Sequence, residues 1–228
     1  MSETLRVLST LALKSAVQGL VGQYQQATGC RIAADFAPTL ALVDRLRGEE
    51  PADLVILTRE GLDDLAREGR VVAESSVDLA RSYVGVAVKA GAPHPDISDE
   101  TALRAALLAA RSVAYSRIGA SGLLFAGLLA RLGIADEVNA RAIITPSGLT
   151  AERLITGEAD LAVQQISELK QVQGIAIVGP IPNQLQTPAV FSAGRMTASQ
   201  RAEQAEHLLQ HLASPAFAVA LREAGLEP

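Results

Sequence analysis

Short runs of apolar residues alternate with longer amphipathic stretches along almost the whole chain. Residues 5–10 and 52–58 are apolar runs of strand length. Residues 11–28 carry apolar positions at helical spacing, and Gly29 follows as a stop. Repeated β–α units with apolar strands predict an α/β fold with mixed, mostly parallel sheets covered by helices on both faces. The predicted strands are residues 5–10, 30–37, 52–58, 83–91, 112–116, 139–145, 160–165, 175–181 and 189–194.

Two segments, residues 80–88 and 182–190, look like crossings of the chain between two lobes. If both segments cross, the C-terminal helices return to the first lobe, which is then discontinuous. We therefore predict one lobe of residues 1–82 and 187–228 and a second lobe of residues 83–186. A chain of 228 residues is ample for two small domains.

The composition narrows the kinds of partner. Apolar residues make up 49% of the chain, but aromatic residues only 3%, so the predicted core is aliphatic. A net charge of −5 argues against nucleic acid as a partner. The single cysteine, Cys30, cannot form an intrachain disulfide. His207 and His211 share one helix face without an evident third ligand, so the sequence predicts neither a metal nor a cofactor.

The first twenty residues do not read as a secretory signal, because they contain Glu3 and no basic segment. As written, the chain is therefore expected to be cytoplasmic, or periplasmic if a leader has been removed. No run approaches the roughly 18 apolar residues of a spanning helix, so no membrane insertion is expected.

Serine and threonine are frequent in the turns that connect predicted strands to the helices that follow them. The stretch AYSRIGASGLL, residues 114–124, is the clearest example. Helix N-termini and the carboxyl ends of parallel strands are favourable places for an anion. The hydroxyl residues at these turns are Ser9, Thr10, Thr39, Ser116, Ser121, Thr145, Ser147 and Thr150. We therefore predict that several of these turns hold a small anionic ligand.

Residues 5–46 and 51–71 carry a resemblance to a known family. A small-residue loop after the first strand, a hydroxyl turn after the second and the Pro-Ala-Asp segment before the third resemble the molybdate-binding type of type II periplasmic binding protein. The resemblance covers nearly the whole chain. It implies two α/β lobes with an anion in the cleft between them.

Several positions depart from the molybdate-binding pattern. Ala12 stands where that family has a serine, Thr39 replaces a second serine, and Gln164 replaces a tyrosine. Arg117 adds a planar guanidinium suited to pairing with a carboxylate. We therefore expect an organic carboxylate, or polycarboxylate, rather than molybdate. The predicted ligand-binding residues are Ser9, Thr10, Ala12, Thr39, Ser116, Arg117, Ser121, Ser147 and Gln164.

Two kinds of function remain open at this point. The chain is either a binding protein for the anion, which would serve an ABC permease if it is exported, or an isomerase of an unsaturated carboxylic acid. The second role is implied by relatives of the aconitate isomerase type. A receptor for molybdate or another oxyanion is a further alternative. Lys14 is a weak candidate for the catalytic base, and no Ser-His-Asp arrangement is evident.

Overall fold

A computed structural model describes residues 4–228. The strands are β1 Thr4–Thr10, β2 Arg31–Ala37, β3 Leu54–Thr58, β4 Val77–Ser82, β5 Val84–Lys89, β6 Val113–Tyr115, β7 Ile143–Ile144, β8 Leu161–Gln165, β9 Ile175–Pro180 and β10 Ala189–Arg195. The helices are α1 Lys14–Thr28, α2 Thr39–Arg47, α3 Arg59–Arg67, α4 Glu100–Ala109, α5 Ala120–Arg131, α6 Ala135–Asn139, α7 Glu152–Ile155, α8 Ile166–Leu169, α9 Ala202–Leu212 and α10 Pro215–Glu223.

The chain divides into two compact units. Unit 1 contains the residues up to Ser82 together with Ala189–Pro228, and unit 2 is Tyr83–Pro188. Each unit has its own five-stranded sheet and its own apolar core. The chain leaves unit 1 directly after β4 and returns to it directly before β10.

The unit 1 sheet has the strand order β2-β1-β3-β10-β4. β1 pairs in parallel with β2 and β3, and β10 runs antiparallel to both β3 and β4. β1 to β4 therefore run in the same direction, and β10 lies between β3 and β4 and runs in the opposite direction. As a result, the carboxyl ends of β1, β2, β3 and β4 lie at one edge of this sheet.

Unit 2 repeats this arrangement with the strand order β7-β6-β8-β5-β9. β6 pairs in parallel with β7 and β8, and β5 runs antiparallel to both β8 and β9. The carboxyl ends of β6, β7, β8 and β9 therefore lie at one edge, and β5 begins at that edge. The predicted mixed, mostly parallel α/β fold is confirmed.

Apolar side chains fill both faces of each sheet. In unit 1, one cluster contains residues of α1, α9 and α10, and the other contains residues of α2 and α3. Unit 2 likewise has two clusters. Leucine, valine, isoleucine and alanine make up most of these clusters, so the core is aliphatic as predicted. The burial of these side chains is the main contribution to folding.

Several local predictions differ from the structure. β4 is not predicted, because its sequence VDLARS has neither an apolar run nor a regular alternation of polar and apolar residues, and it lies at a sheet edge. The sequence favours Ser98 as the N-cap of α4, but Asp99 caps this helix by accepting a hydrogen bond from the Ala102 N–H. Thr197 and Gln200 have the spacing of a capping box, but α9 begins only at Ala202 and its N-cap is Arg201.

Within residues 4–228, no helix combines the length and apolar character needed to cross a membrane. Glu3, on which the sequence argument about a leader partly rests, lies outside the described residues.

Candidate functional site

β1 ends in two of the hydroxyl residues that the sequence predicts as anion donors. Thr10, its last residue, is 3% exposed, and its Oγ1 has no hydrogen-bond partner among the described residues. Ser9 is fully buried, and its Oγ donates to the Thr10 carbonyl at 3.2 Å. The 3-10 turn Leu11–Leu13, which includes buried Ala12, leads into α1 at half-buried Lys14. These predicted residues therefore lie together at one edge of the unit 1 sheet.

Thr39 lies at the neighbouring strand end, where the chain passes from β2 through Pro38 into α2. It is the buried first residue of the helix, and Pro38 is the N-cap. Its Cγ2 lies 3.1 Å from the position that a Cβ on Gly61 would take, so the methyl group faces the start of α3. Because Thr10 pairs with Ala37, Thr39 lies at the same edge of the sheet as Thr10.

Ser116, in unit 2, directly follows β6 and forms the turn into α5. It is 5% exposed, and its Oγ accepts a hydrogen bond from the Ile118 N–H at 3.3 Å. Gly119 is the N-cap of α5, and the helix begins at Ala120. Ser121 is therefore the buried second residue of the helix and not its cap.

Gly122 sets the geometry of this turn. A Cβ on Gly122 would lie 1.7 Å from the Ser116 carbonyl oxygen and 2.5 Å from its carbon. Real Cβ atoms do not approach backbone so closely, so only glycine allows the first turn of α5 to pack on the end of β6. The glycine therefore holds Ser116 and the helix N-terminus together.

Arg117 is exposed on the same turn. Its Nη2 donates to the Asn139 Oδ1 at 3.4 Å, and the Tyr115 hydroxyl donates to the same oxygen. Within the described part of the chain, Arg117 makes no ion pair. A guanidinium with only a neutral protein partner keeps donors available for a carboxylate.

Gln164 lies at the end of β8, which pairs with β6, and is 2% exposed. Its Oε1 accepts from the Thr150 N–H at 2.7 Å and from the Thr150 hydroxyl at 3.0 Å. Its Nε2 donates to the Gly148 carbonyl at 3.2 Å, and its side chain also donates to Glu168. Gln164 therefore holds the turn of residues 145–150 in place, while Ser147 is exposed on that turn. Ligand contact by Gln164 or Ser147 stays a prediction.

Glu168 is a buried carboxyl group that the sequence analysis does not single out. It is the third residue of α8 and 8% exposed, and its carboxylate accepts from the Gln165 N–H at 3.3 Å. Burial raises the pKa of Glu168 from its usual 4.5 to about 8, against the smaller opposing effects of the Gln165 and Gln164 hydrogen bonds. The reciprocal capping of Gln165 and Glu168 is the only sequence signal at this position, and serine or threonine is the usual partner in that pattern.

Unpaired buried hydroxyls mark the same edges of both sheets. Thr10 ends β1, Ser82 ends β4, Thr145 follows β7 and Ser167 lies at the start of α8. The hydroxyl oxygens of all four are buried without a hydrogen-bond partner among residues 4–228. Leaving a polar group in that state costs roughly 1–3 kcal/mol, so such groups call for an explanation such as a ligand.

Other features of the described residues lie away from these edges. An open cavity of about 780 Å³ lies at the opposite edge of the unit 1 sheet, where Arg6, Asp53 and Arg201 are among its lining residues. It contains none of the predicted ligand-binding residues. No three His, Cys, Asp or Glu side chains of the described chain are grouped so that they could hold a metal ion.

Comparisons with known proteins add a family and a fold. Residues 5–227 match the family model described as bacterial extracellular solute-binding protein. An aconitate isomerase from a Pseudomonas species is 38% identical over 230 residues, which cover 99% of this chain and 88% of that protein. The solved periplasmic molybdate-binding protein of Azotobacter vinelandii has a TM-score of 0.83 at 20% identity, covering 98% of this chain and 99% of its own. The sulfate-binding protein SubI of Mycobacterium tuberculosis H37Rv has a TM-score of 0.81 at 15% identity, covering 99% and 87%.

Replacing Gly122 by alanine should damage the β6–α5 turn. We expect G122A to lower the free energy of unfolding by about 3 kcal/mol, because the new methyl group overlaps the Ser116 carbonyl. Gly127 lies in the same helix with open space around its Cβ position, so G127A should raise stability by about 1 kcal/mol through helix propensity. Urea denaturation measures both variants, and a G122A protein as stable as G127A would contradict this account of the turn.

Proposed function

The chain belongs to the bacterial extracellular solute-binding protein family, and we propose that it binds an unsaturated polycarboxylate and isomerises it. The observation that carries the proposal is the 38% identity with an aconitate isomerase over 99% of the chain. The resemblance to molybdate-binding proteins predicted from the sequence is confirmed for the fold, which the molybdate-binding structure shares. The isomerase alternative of the sequence analysis thus has more support than binding alone.

The chemistry of the unit 2 turn supports a carboxylate as the ligand. The N-terminus of α5 presents backbone N–H groups and a partial positive charge beside Ser116 and Ser121. Arg117 adds a guanidinium fork that can pair with both oxygens of one carboxylate. Hydroxyl and amide donors alone would suit a tetrahedral oxoanion, so the guanidinium favours an organic acid.

An aconitate-type substrate contains three carboxylates, one carbon–carbon double bond and one CH₂ group beside it. Isomerisation breaks one C–H bond at the CH₂ carbon, shifts the double bond and forms one C–H bond at the far carbon. No electrons are gained or lost overall, so the balance of the reaction requires neither a redox metal nor a redox cofactor. Positive donors around the carboxylates would stabilise the enolate-like intermediate, in which negative charge spreads onto carboxylate oxygens.

A receptor without turnover is the second candidate. Membership of a solute-binding protein family and the shared fold with the molybdate- and sulfate-binding proteins favour it. In that role the same residues bind the anion, and the protein passes its ligand to a permease. The cytoplasmic location expected from the sequence stays a prediction, as does delivery to a permease.

Turnover separates the two candidates. We expect the purified protein to convert cis-aconitate into trans-aconitate and to reach the same ratio from either isomer, as followed by proton NMR of the vinyl signals. Calorimetry with molybdate and tungstate should show far weaker binding than with the tricarboxylate. Tight tricarboxylate binding without any conversion would establish a receptor, and tight molybdate binding would exclude the carboxylate proposal.

Arg117 should control carboxylate affinity. We expect R117A to weaken binding of the tricarboxylate by about 10- to 100-fold, the range for a lost hydrogen bond to a charged group. Arg131 is exposed at the other end of α5, so R131A is the matched control and should leave the affinity unchanged. Calorimetric titration of both variants measures the effect, and equal affinities would remove Arg117 from the site.

Replacing Thr10 by valine should stabilise the fold and weaken ligand binding. Because its buried hydroxyl is unpaired, T10V is expected to raise the free energy of unfolding by about 1 kcal/mol. The same change should weaken tricarboxylate binding by about tenfold, since a hydroxyl donor is lost. Thr58 is a control for stability, because its side chain caps α3 at the Gly61 N–H and T58V should be destabilised.

A T10V protein that is more stable and binds the tricarboxylate as tightly as the unchanged chain would exclude Thr10 from the site.

A further inference from the structure

We propose that the Glu168 carboxyl group carries the proton during isomerisation, taking it from the CH₂ carbon and returning it at the far end of the shifted double bond. This inference rests on the proposed function, because without turnover no proton moves. The sequence offers Lys14 and Tyr115 as possible bases, but Lys14 is only half-buried and the Tyr115 hydroxyl donates to the Asn139 Oδ1.

Glu168 lies at the strand end where unit 2 gathers its polar groups. It is the third residue of α8, which begins as β8 ends. β8 pairs in parallel with β6, and Ala114 stands opposite Ala162. Ser116 and Gln164 each come two residues after this pair, Ser116 in the turn that follows β6 and Gln164 near the end of β8. The side chain of Gln164 hydrogen-bonds directly to Glu168.

The surroundings of Glu168 fix the carboxyl group without neutralising it. Its two donors, the Gln165 N–H and the Gln164 side chain, are both uncharged. The neighbouring Ser167 hydroxyl is fully buried and unpaired among the described residues. No ion pair within 4.0 Å involves Glu168 in residues 4–228. A carboxyl group of this kind is able to exist in either protonation state near neutral pH.

Charged groups on the elements packed against α8 are few. α8 packs on β5, β8 and β9, and neither β8 nor β9 contains a titratable side chain. β5 contains only Lys89, at the far end from its pairing with Gln165, and the Lys89 Nζ donates to the Ile155 carbonyl at 3.4 Å. Tyr83 precedes β5, and Lys170 follows α8. Burial consequently dominates the titration of Glu168, and its pKa is raised to about 8.

The proposed step balances without any further reactant. The ionised Glu168 carboxylate accepts the proton of the CH₂ carbon, and the C–H electron pair becomes the new π bond. The electrons of the old π bond move onto the substrate's conjugated carboxylate system. The protonated Glu168 then donates its proton to the far carbon, which restores the ionised carboxylate. A group whose pKa lies near the working pH is suited to both halves of this step.

The first test replaces Glu168 by glutamine, which keeps an oxygen that can accept the Gln165 N–H. We expect E168Q to lower kcat by at least 100-fold, the lower range for removal of an acid–base group, with tricarboxylate affinity within about threefold of the unchanged protein. Glu152 is exposed at the start of α7 in the same unit, so E152Q is the matched control and should retain full kcat. Thermal melting with and without ligand shows that each variant folds and binds.

The outcomes distinguish this inference from the proposed function. If the unchanged protein does not isomerise aconitate, the proposed function fails before Glu168 is tested. If it isomerises and folded E168Q keeps kcat within threefold, the role of Glu168 is overturned. If E168Q shows no cooperative melting, it does not fold, and the kcat of E168D is measured instead. For E168D, a loss of about tenfold or more in kcat with retained ligand binding supports the proposal, and an unchanged kcat rejects it.

In the unchanged protein kcat should rise with pH as Glu168 ionises, because the base form starts the reaction, and E168D should keep this rise.

Discussion

Buried polar groups at the carboxyl ends of the strands are the constraint on which the rest of the structure depends. An α/β sheet must end its strands somewhere, and here those ends carry hydroxyls that point inward without partners, as at Thr10 and Thr145. Each such group makes the folded chain less stable than an apolar residue in its place would. In the proposed function, the chain bears that cost at corresponding edges of two separate sheets because the groups bind a ligand. Stability and binding are therefore opposed at the same atoms.

The topology collects these groups at one edge in each unit. A single antiparallel strand in each sheet, β10 in one and β5 in the other, leaves four strands pointing the same way. Helix N-termini follow several of those strands, so backbone donors and side-chain donors share the edge. Local sequence then refines the geometry. Gly122 permits a helix to start against the Ser116 carbonyl, an approach that every other residue would prevent.

The sequence predicts much of this arrangement and misses an informative part. Strand runs followed by helical spacing predict the fold, and the hydroxyl turns predict Thr10, Thr39 and Ser116 at strand ends, because both signals are local. β4 is missed because a half-buried edge strand has no apolar run. Ser121 lies inside α5 rather than in the turn before it, since helix starts are set by backbone geometry that hydroxyl spacing does not define. Glu168 is missed because burial of a glutamate depends on contacts between β8, β5 and α8, which no local pattern records.

Binding and turnover require different chemical groups at the carboxyl-end edge of the unit 2 sheet. An anion receptor requires only fixed dipoles and a cation, which Ser116, the α5 N-terminus and Arg117 provide in unit 2. An isomerase additionally requires a proton acceptor that does not repel a polyanionic substrate. An ionised glutamate beside three carboxylates would oppose binding, but a buried carboxyl group with a raised pKa is mostly neutral at pH 7 and therefore presents little charge to the approaching ligand. The bound anion would further favour the protonated form of Glu168. In the proposed mechanism, one desolvated carboxyl group without a cationic partner supplies the proton acceptor that a receptor does not need.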